Sequence, residues 1–161
     1  MPTDGPPVDA VPRVAVAAAT EPRRGPTVAV VGVDPGRNVG LAWVDAEGRM
    51  LRAEVADLAA LARLEVDPDA VVALGDGTGS GEARAALARA GHTVAMVDEF
   101  ATSEEGRRLY WRDHPVRGWR RWPPAGLRVP PRPLDDYAAY AIALRWLGRT
   151  SAAPARSDRG R

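Results

Sequence analysis

The chain has no cysteine, so disulfides and thiolate metal sites are excluded. It has no lysine; every basic side chain is an arginine, which excludes a lysine P-loop and Schiff-base chemistry. It has two histidines, His92 and His114, far apart, which argues against a histidine metal cluster or a Ser-His-Asp triad. No apolar run is long enough to span a bilayer, and the proline-bearing N-terminus with Asp4 is not a signal-peptide pattern. The expectation is a soluble, cytoplasmic protein. Formal net charge is only +1 over 161 residues, so bulk charge names no partner.

What is present is organised around residues 27–45, TVAVVGVDPGRNVGLAWVD. Val28 to Val33 is a β-branched apolar run, the pattern of a strand covered on both faces. It ends at Asp34, followed by Pro35-Gly36 turn chemistry. Val39 to Val44 reads as a second strand, and Glu47-Gly48 as a tight turn into a third. Asp57 caps a short helix, Leu58 to Leu64. Ala70 to Leu74 reads as a fourth strand, opening into the Gly-rich loop GDGTGS. Ser80 is placed to cap a helix from Gly81 to Ala90, stopped by Gly91. His92 to Val97 reads as a fifth strand. Thr102-Ser103-Glu104-Glu105 has the form of a capping box opening a helix to about Trp111. The last helix is expected from Leu134 to Leu147, with Leu134, Ala138, Ile142 and Trp146 near one stripe. Hairpin strands followed by alternating β and α give an α/β fold, a mixed five-stranded sheet with helices on both faces. The expected domain spans 27–149, between a Pro/Ala-rich tail (1–26) and a basic tail (150–161), both read as disordered.

Acids recur where strands end and helices begin: Asp34, Asp76, Glu99, and Asp135 with Asp136. Each has a structural explanation: Asp34 and Asp76 as turn residues, Glu99 as a solvated strand end, Asp135 and Asp136 as first-turn acids favoured by the helix dipole. If these positions converge at one sheet edge, the carboxylates repel and need a cation. Oxygen ligands without Cys or His suit Mg²⁺ or Mn²⁺. Two such ions about 3.5–4 Å apart can clamp the attacking and leaving oxygens of a phosphodiester.

From Arg107 to Arg132 there are eight arginines (Arg107, Arg108, Arg112, Arg117, Arg120, Arg121, Arg128, Arg132) against one acid, Asp113. Trp111, Trp119 and Trp122 are interleaved. Arginines for phosphates and aromatic faces for unstacked bases suit a nucleic-acid groove, which His114 can join. The alternative is a loop whose tryptophans fold back on the core.

Three stretches resemble known nucleases. VGVDPGRNVGLAWVD resembles the first-strand motif G-[IV]-D-P-G-x-x-x-G of RNase H-like enzymes of the Holliday-junction-resolvase group. VDEFATSEEG resembles V-D-E-R-x-T-T-x-x-A of the YqgF/RuvX branch, the pre-ribosomal-RNA nucleases. LDDYAAYAIALRWL resembles that branch's final helix, D-S-x-A-A-x-x-I-L. The resemblance covers residues 28–147 and implies an RNase H-like fold and a divalent-metal nuclease. It carries catalytic and metal-binding roles onto Asp34, Glu99 and Asp135. Phe100 stands where the branch has arginine, and the Asp-Pro-Gly turn is closer to RuvC-type resolvases. In those enzymes the last-helix acids are three residues apart. Here they are adjacent, and adjacent helical residues diverge by about 100°, so register favours Asp135 over Asp136. Asp76 lies near the place of the resolvases' second acid.

The expectation is therefore a metal-dependent nuclease, monomeric or homodimeric, with junction DNA or precursor ribosomal RNA as substrate. Two rivals are a non-catalytic nucleic-acid-binding module of the same fold and an actin/sugar-kinase-type phosphotransferase using GDGTGS as a phosphate loop. The latter needs two such domains.

Overall fold

The centre of the fold is strand β1, Val30–Pro35, buried along its whole length. The computed structural model describes residues 26–118 and 128–152, with side chains to residue 148. β1 pairs antiparallel with β2, Val39–Val44, which pairs antiparallel with β3, Met50–Ala56. On its other side β1 pairs in parallel with β4, Val71–Gly75, and β4 with β5, Val94–Val97. The five-stranded order is β3-β2-β1-β4-β5. Three helices complete the fold: α1, Ser80–Arg89; α2, Thr102–Asp113; and α3, Asp135–Ala152. This is an α/β fold, a mixed five-stranded sheet covered by helices on both faces.

Strand alternation explains which face each helix takes. Val31, Val33, Leu41, Trp43, Val72 and Leu74 point to one face, where Leu61 of the 3₁₀ turn Leu58–Arg63 and Ala83, Ala86 and Leu87 of α1 cover them. The other face is made of smaller residues. Gly32, Gly40, Ala42, Ala73 and Gly75 let α3 approach backbone to backbone. A β-carbon on Gly32 would collide with the Ala139 carbonyl, and one on Gly40 with the Asp135 carbonyl.

Several local expectations change. α3 is not buried along one stripe: residues 136–143 are all buried, because the helix packs against the sheet on one side and α2 on the other. Ser80 lies inside the first turn of α1, and Gly79, at φ 89°, takes the N-cap position without a side-chain bond. The capping box at Thr102 does not form. Its hydroxyl donates to the Glu99 carbonyl at 2.9 Å, and Glu105 pairs with Arg145 at 3.0 Å. α2 runs to Asp113, beyond Trp111, and β5 begins at Val94. His92 instead sits on the Leu64 carbonyl through Nε2 at 2.7 Å. Asp57 does cap its turn, accepting from the Ala60 amide at 2.8 Å. Among the described residues no helix is long and apolar enough to cross a membrane.

Candidate active site

Even-numbered residues of β1 face α3, so Asp34 points to the side where α3 begins. Its partner across the hairpin is Gly40, and Gly40 is the residue on which the first turn of α3 rests. The hairpin therefore places Asp34 and Asp135 near one another. β4 lies next to β1 and β5 next to β4, so the end of β5 brings Glu99 to the same edge.

Asp34 is 8% exposed. Its carboxyl is hydrogen-bonded to Glu99, not to the Pro35-Gly36 turn. Burial pushes its pKa from 3.8 up to about 8, helped by the Glu99 hydrogen bond and then by the charges of Glu99 and Asp135. Asp34 thus lies in a buried, negatively charged setting that disfavours its ionised form, with Asp135 close enough to add its field. Asp135 also lies at the N-terminus of α3, whose dipole favours a negative charge.

Glu99 is held from three sides. Its amide donates to Asp76 Oδ1 at 2.9 Å, and its carbonyl accepts from the Thr102 amide at 3.0 Å and the Thr102 hydroxyl at 2.9 Å. Gly77 leaves the space its carboxylate fills, since a β-carbon there would overlap Glu99 Oε2. Asp76 is placed to orient Glu99. Asp136 is directed elsewhere: 5% exposed, it is clamped by both Arg132 nitrogens at 2.9 and 2.8 Å. The angular divergence of adjacent helical residues separates the two aspartates.

A cleft of about 460 Å³ opens beside the acids, with Asp34 and Asp135 in its lining. Ser103 and Arg107 of α2 and the strap from Val129 to Pro133 also line it. The basic segment divides in its local roles. Arg107 is exposed in the cleft, and Arg117 is exposed. Arg108 pairs with Glu104 at 2.6 Å. Arg112 bonds Asp113 at 2.8 Å and the Tyr140 hydroxyl at 3.3 Å. Arg132 ties the strap to α3. Trp111 packs against the core, its indole N–H buried without a hydrogen-bond partner among the described residues. His114 stacks on Tyr110 at 4.4 Å. Trp119, Arg120, Arg121 and Trp122 lie outside the described residues.

Among the described residues, no group of three or more Asp, Glu or His is gathered closely enough to cage a metal ion as it stands. The donor chemistry nevertheless fits Mg²⁺ or Mn²⁺: oxygen only, with a buried carboxyl surrounded by negative charge that a cation would relieve. Two contributors were hidden from sequence reasoning, the space at Gly77 and the strap wall; Arg107 was among the candidate arginines, but its place in the cleft was not readable. Only Gly77, a glycine between Asp76 and the α1 start, carried a signal that could have been read.

No family model matches the chain, and no curated protein matches it. Among solved structures it is similar to Thermus thermophilus RuvC in complex with a Holliday junction substrate, at 22% identity and a TM-score of 0.47, over 76% of this chain and 96% of that one. A second structure of Thermus thermophilus RuvC gives 22% identity and a TM-score of 0.46 over the same shares. The site rests on its own geometry.

Proposed function

We propose that the chain is a divalent-metal-dependent nuclease acting on structured nucleic acid. The observation that supports this reading is the convergence of Asp34, Glu99 and Asp135, from a strand, a loop and a helix, at one sheet edge, with Asp34 buried against Glu99 and within the field of Asp135. Asp34, Glu99 and Asp135 would hold the ion, with Asp76 orienting Glu99. A divalent ion there supplies charge against the phosphoryl oxygens and acidifies water. With an ion bound there, the carboxylates of Asp34 and Glu99 would serve as its oxygen donors. Arg107, across the cleft, binds a substrate phosphate and sets its distance from the acids. The motif resemblances support a place beside the Holliday-junction resolvases and the YqgF/RuvX branch. Junction DNA and precursor ribosomal RNA are the substrates they suggest.

A second reading, a nucleic-acid-binding module without catalysis, draws on the same acid pair. Asp34 and Glu99 bond each other, and no group of three ligands among the described residues is already spread around an ion position. Incubating the protein with a four-way DNA junction, single-stranded DNA and structured RNA, each with Mg²⁺ and with Mn²⁺, separates the two. Metal-dependent cleavage of one substrate is expected. Binding without cleavage under every condition supports the module.

Gly77→Ala tests the site without disturbing the core. The new methyl meets only the end of the Glu99 side chain, which can swing away, and the Gly77 backbone is not in the left-handed region. Stability should change by about 1 kcal/mol at most, the net worth of one side-chain contact. Cleavage should fall on the order of 10²-fold, the scale of a misplacement by about 1 Å. Unchanged cleavage rates would remove Glu99 from the mechanism.

A further inference from the structure

Phe100, the only phenylalanine in the chain, directly follows Glu99 and is 82% exposed. It makes no ring contact among the described residues and has no place in either core cluster. Its exposure is built in by the turn that carries it. The Phe100 amide donates to Asp98 Oδ1 at 2.8 Å, and the Thr102 amide closes the turn on the Glu99 carbonyl at 3.0 Å. Ala101 completes the turn at φ 61°, a conformation that L-residues other than glycine and asparagine rarely adopt. The ring is therefore presented outward by the same residue, Glu99, whose carboxyl reaches Asp34. Among the described residues the other large apolar side chain exposed to this degree is Val129, at 86%, which lines the acid cleft. Among the described residues the two most exposed large apolar side chains thus belong to segments that border the acids.

We propose that Phe100 is a base-stacking residue: a strand entering the acid cleft presents an unpaired nucleobase next to its bound phosphate, and that base lies on the Phe100 ring. Placing the phosphate at the acids rests on the nuclease reading; the stacking does not. A ring on the residue next to Glu99, at the edge that carries the acids and a cleft lined by Arg107, suits an amphipathic ligand, with an apolar face and a phosphate, better than an apolar protein surface. Stacking on a ring is tolerant of sequence because every base has a π-face. A base inside a duplex has both faces covered and offers the ring nothing. The substrate class that follows is nucleic acid with unpaired bases at the site.

The test measures binding by fluorescence anisotropy in chelator, with no divalent ion present. The probes are labelled oligothymidylate, oligouridylate, a fully paired duplex of equal length, and an abasic strand. Wild type, Phe100→Ala and Phe100→Trp are compared, with melting curves to confirm unchanged folding. Wild type should bind the single strands, and Phe100→Ala should lose roughly 5- to 100-fold of that affinity, the range of one stacked base. Phe100→Trp should restore it, and neither change should alter duplex or abasic binding. The thymidylate and uridylate arms show whether the unpaired base comes from DNA or RNA. The proposal is overturned if wild type does not bind single strands, if Phe100→Ala leaves their affinity unchanged, or if duplex affinity falls equally. Cleavage by wild type with an unchanged Phe100→Ala affinity removes this inference and leaves the nuclease. A Phe100-dependent affinity without cleavage under any metal does the reverse.

Discussion

Replacing Asp34 by Asn is expected to abolish most nuclease activity while making the metal-free protein less sensitive to alkali. The amide keeps the shape of the carboxyl and can still donate to Glu99, but it cannot become an anionic ligand. Cleavage should fall about 10²-fold or more, the scale of losing one strong electrostatic contact in catalysis. Stability carries a separate signature. Asp34 is held at about 8, against an ordinary value of 3.8, by burial, the Glu99 hydrogen bond and neighbouring negative charge. Between about pH 4 and pH 8 the folded protein keeps a proton that the unfolded chain has released. This contribution is therefore complete below pH 4 and is lost as the pH rises through 8. One proton gives a slope of at most about 1.4 kcal/mol per pH unit. Melting curves without metal should show wild type weakening across that window and Asp34→Asn staying nearly flat. A parallel pH dependence in the two proteins would place the proton elsewhere.

Gly40→Ala is expected to be the most damaging single methyl group. Gly40 faces Asp34 across the hairpin, and an added β-carbon would collide with the carbonyl of Asp135 and crowd the Asp136 amide. Both sides of this contact are backbone, so no side chain can swing away. Overpacking typically costs about 1–3 kcal/mol, and a rigid contact belongs at or above the upper end. A loss of about 3 kcal/mol lowers the melting temperature of a domain this size by roughly 10 °C. The relief available is to push α3 off the sheet, which carries Asp135 away from Asp34, so activity should fall even in the fraction that stays folded. Gly81→Ala is the matched control. Nothing lies within 4 Å of its added methyl, and it sits in the first turn of α1. It should be neutral, or stabilising by up to about 1 kcal/mol through helix propensity. Equal melting temperatures for wild type and Gly40→Ala would mean that α3 does not rest on the hairpin.

The strands were legible because their signal is local. Val28 to Val33 is an apolar run ended by Asp-Pro-Gly, and β1 is Val30–Pro35 with Asp34 near its end. The helix starts were less legible. Thr102 and Ser80 have the chemistry of caps, but at Thr102 a tertiary demand, holding the Glu99 carbonyl, takes the hydroxyl. At Ser80 the left-handed Gly79 enters the helix one residue earlier. α3 was read as amphipathic because an alanine-rich helix shows a weak stripe. Its full burial depends on α2 crossing it, a contact between residues far apart in the chain. At the site, the motifs singled out Asp34, Glu99 and Asp135, and the sheet order brings these three to one edge. The arginine cluster was a count of charge and not of partners. Arg112 and Arg132 spend their guanidinium groups on Asp113, Tyr140 and Asp136, which spacing alone does not reveal.

The central claim is that Asp34 is a ligand in a divalent-ion site. Its most direct measurement is the melting midpoint of wild type and Asp34→Asn at pH 7, titrated with Mn²⁺. An ion that binds only the folded protein stabilises it by RT ln(1 + [L]/Kd), about 2.7 kcal/mol at a hundredfold excess over Kd. Wild type should rise by several degrees as Mn²⁺ binds at the buried acid, while Asp34→Asn rises little or not at all. An equal rise in both proteins, or a loss of about 1 kcal/mol in Asp34→Asn with Mn²⁺ binding untouched, would show Asp34 to be a turn cap and contradict the site.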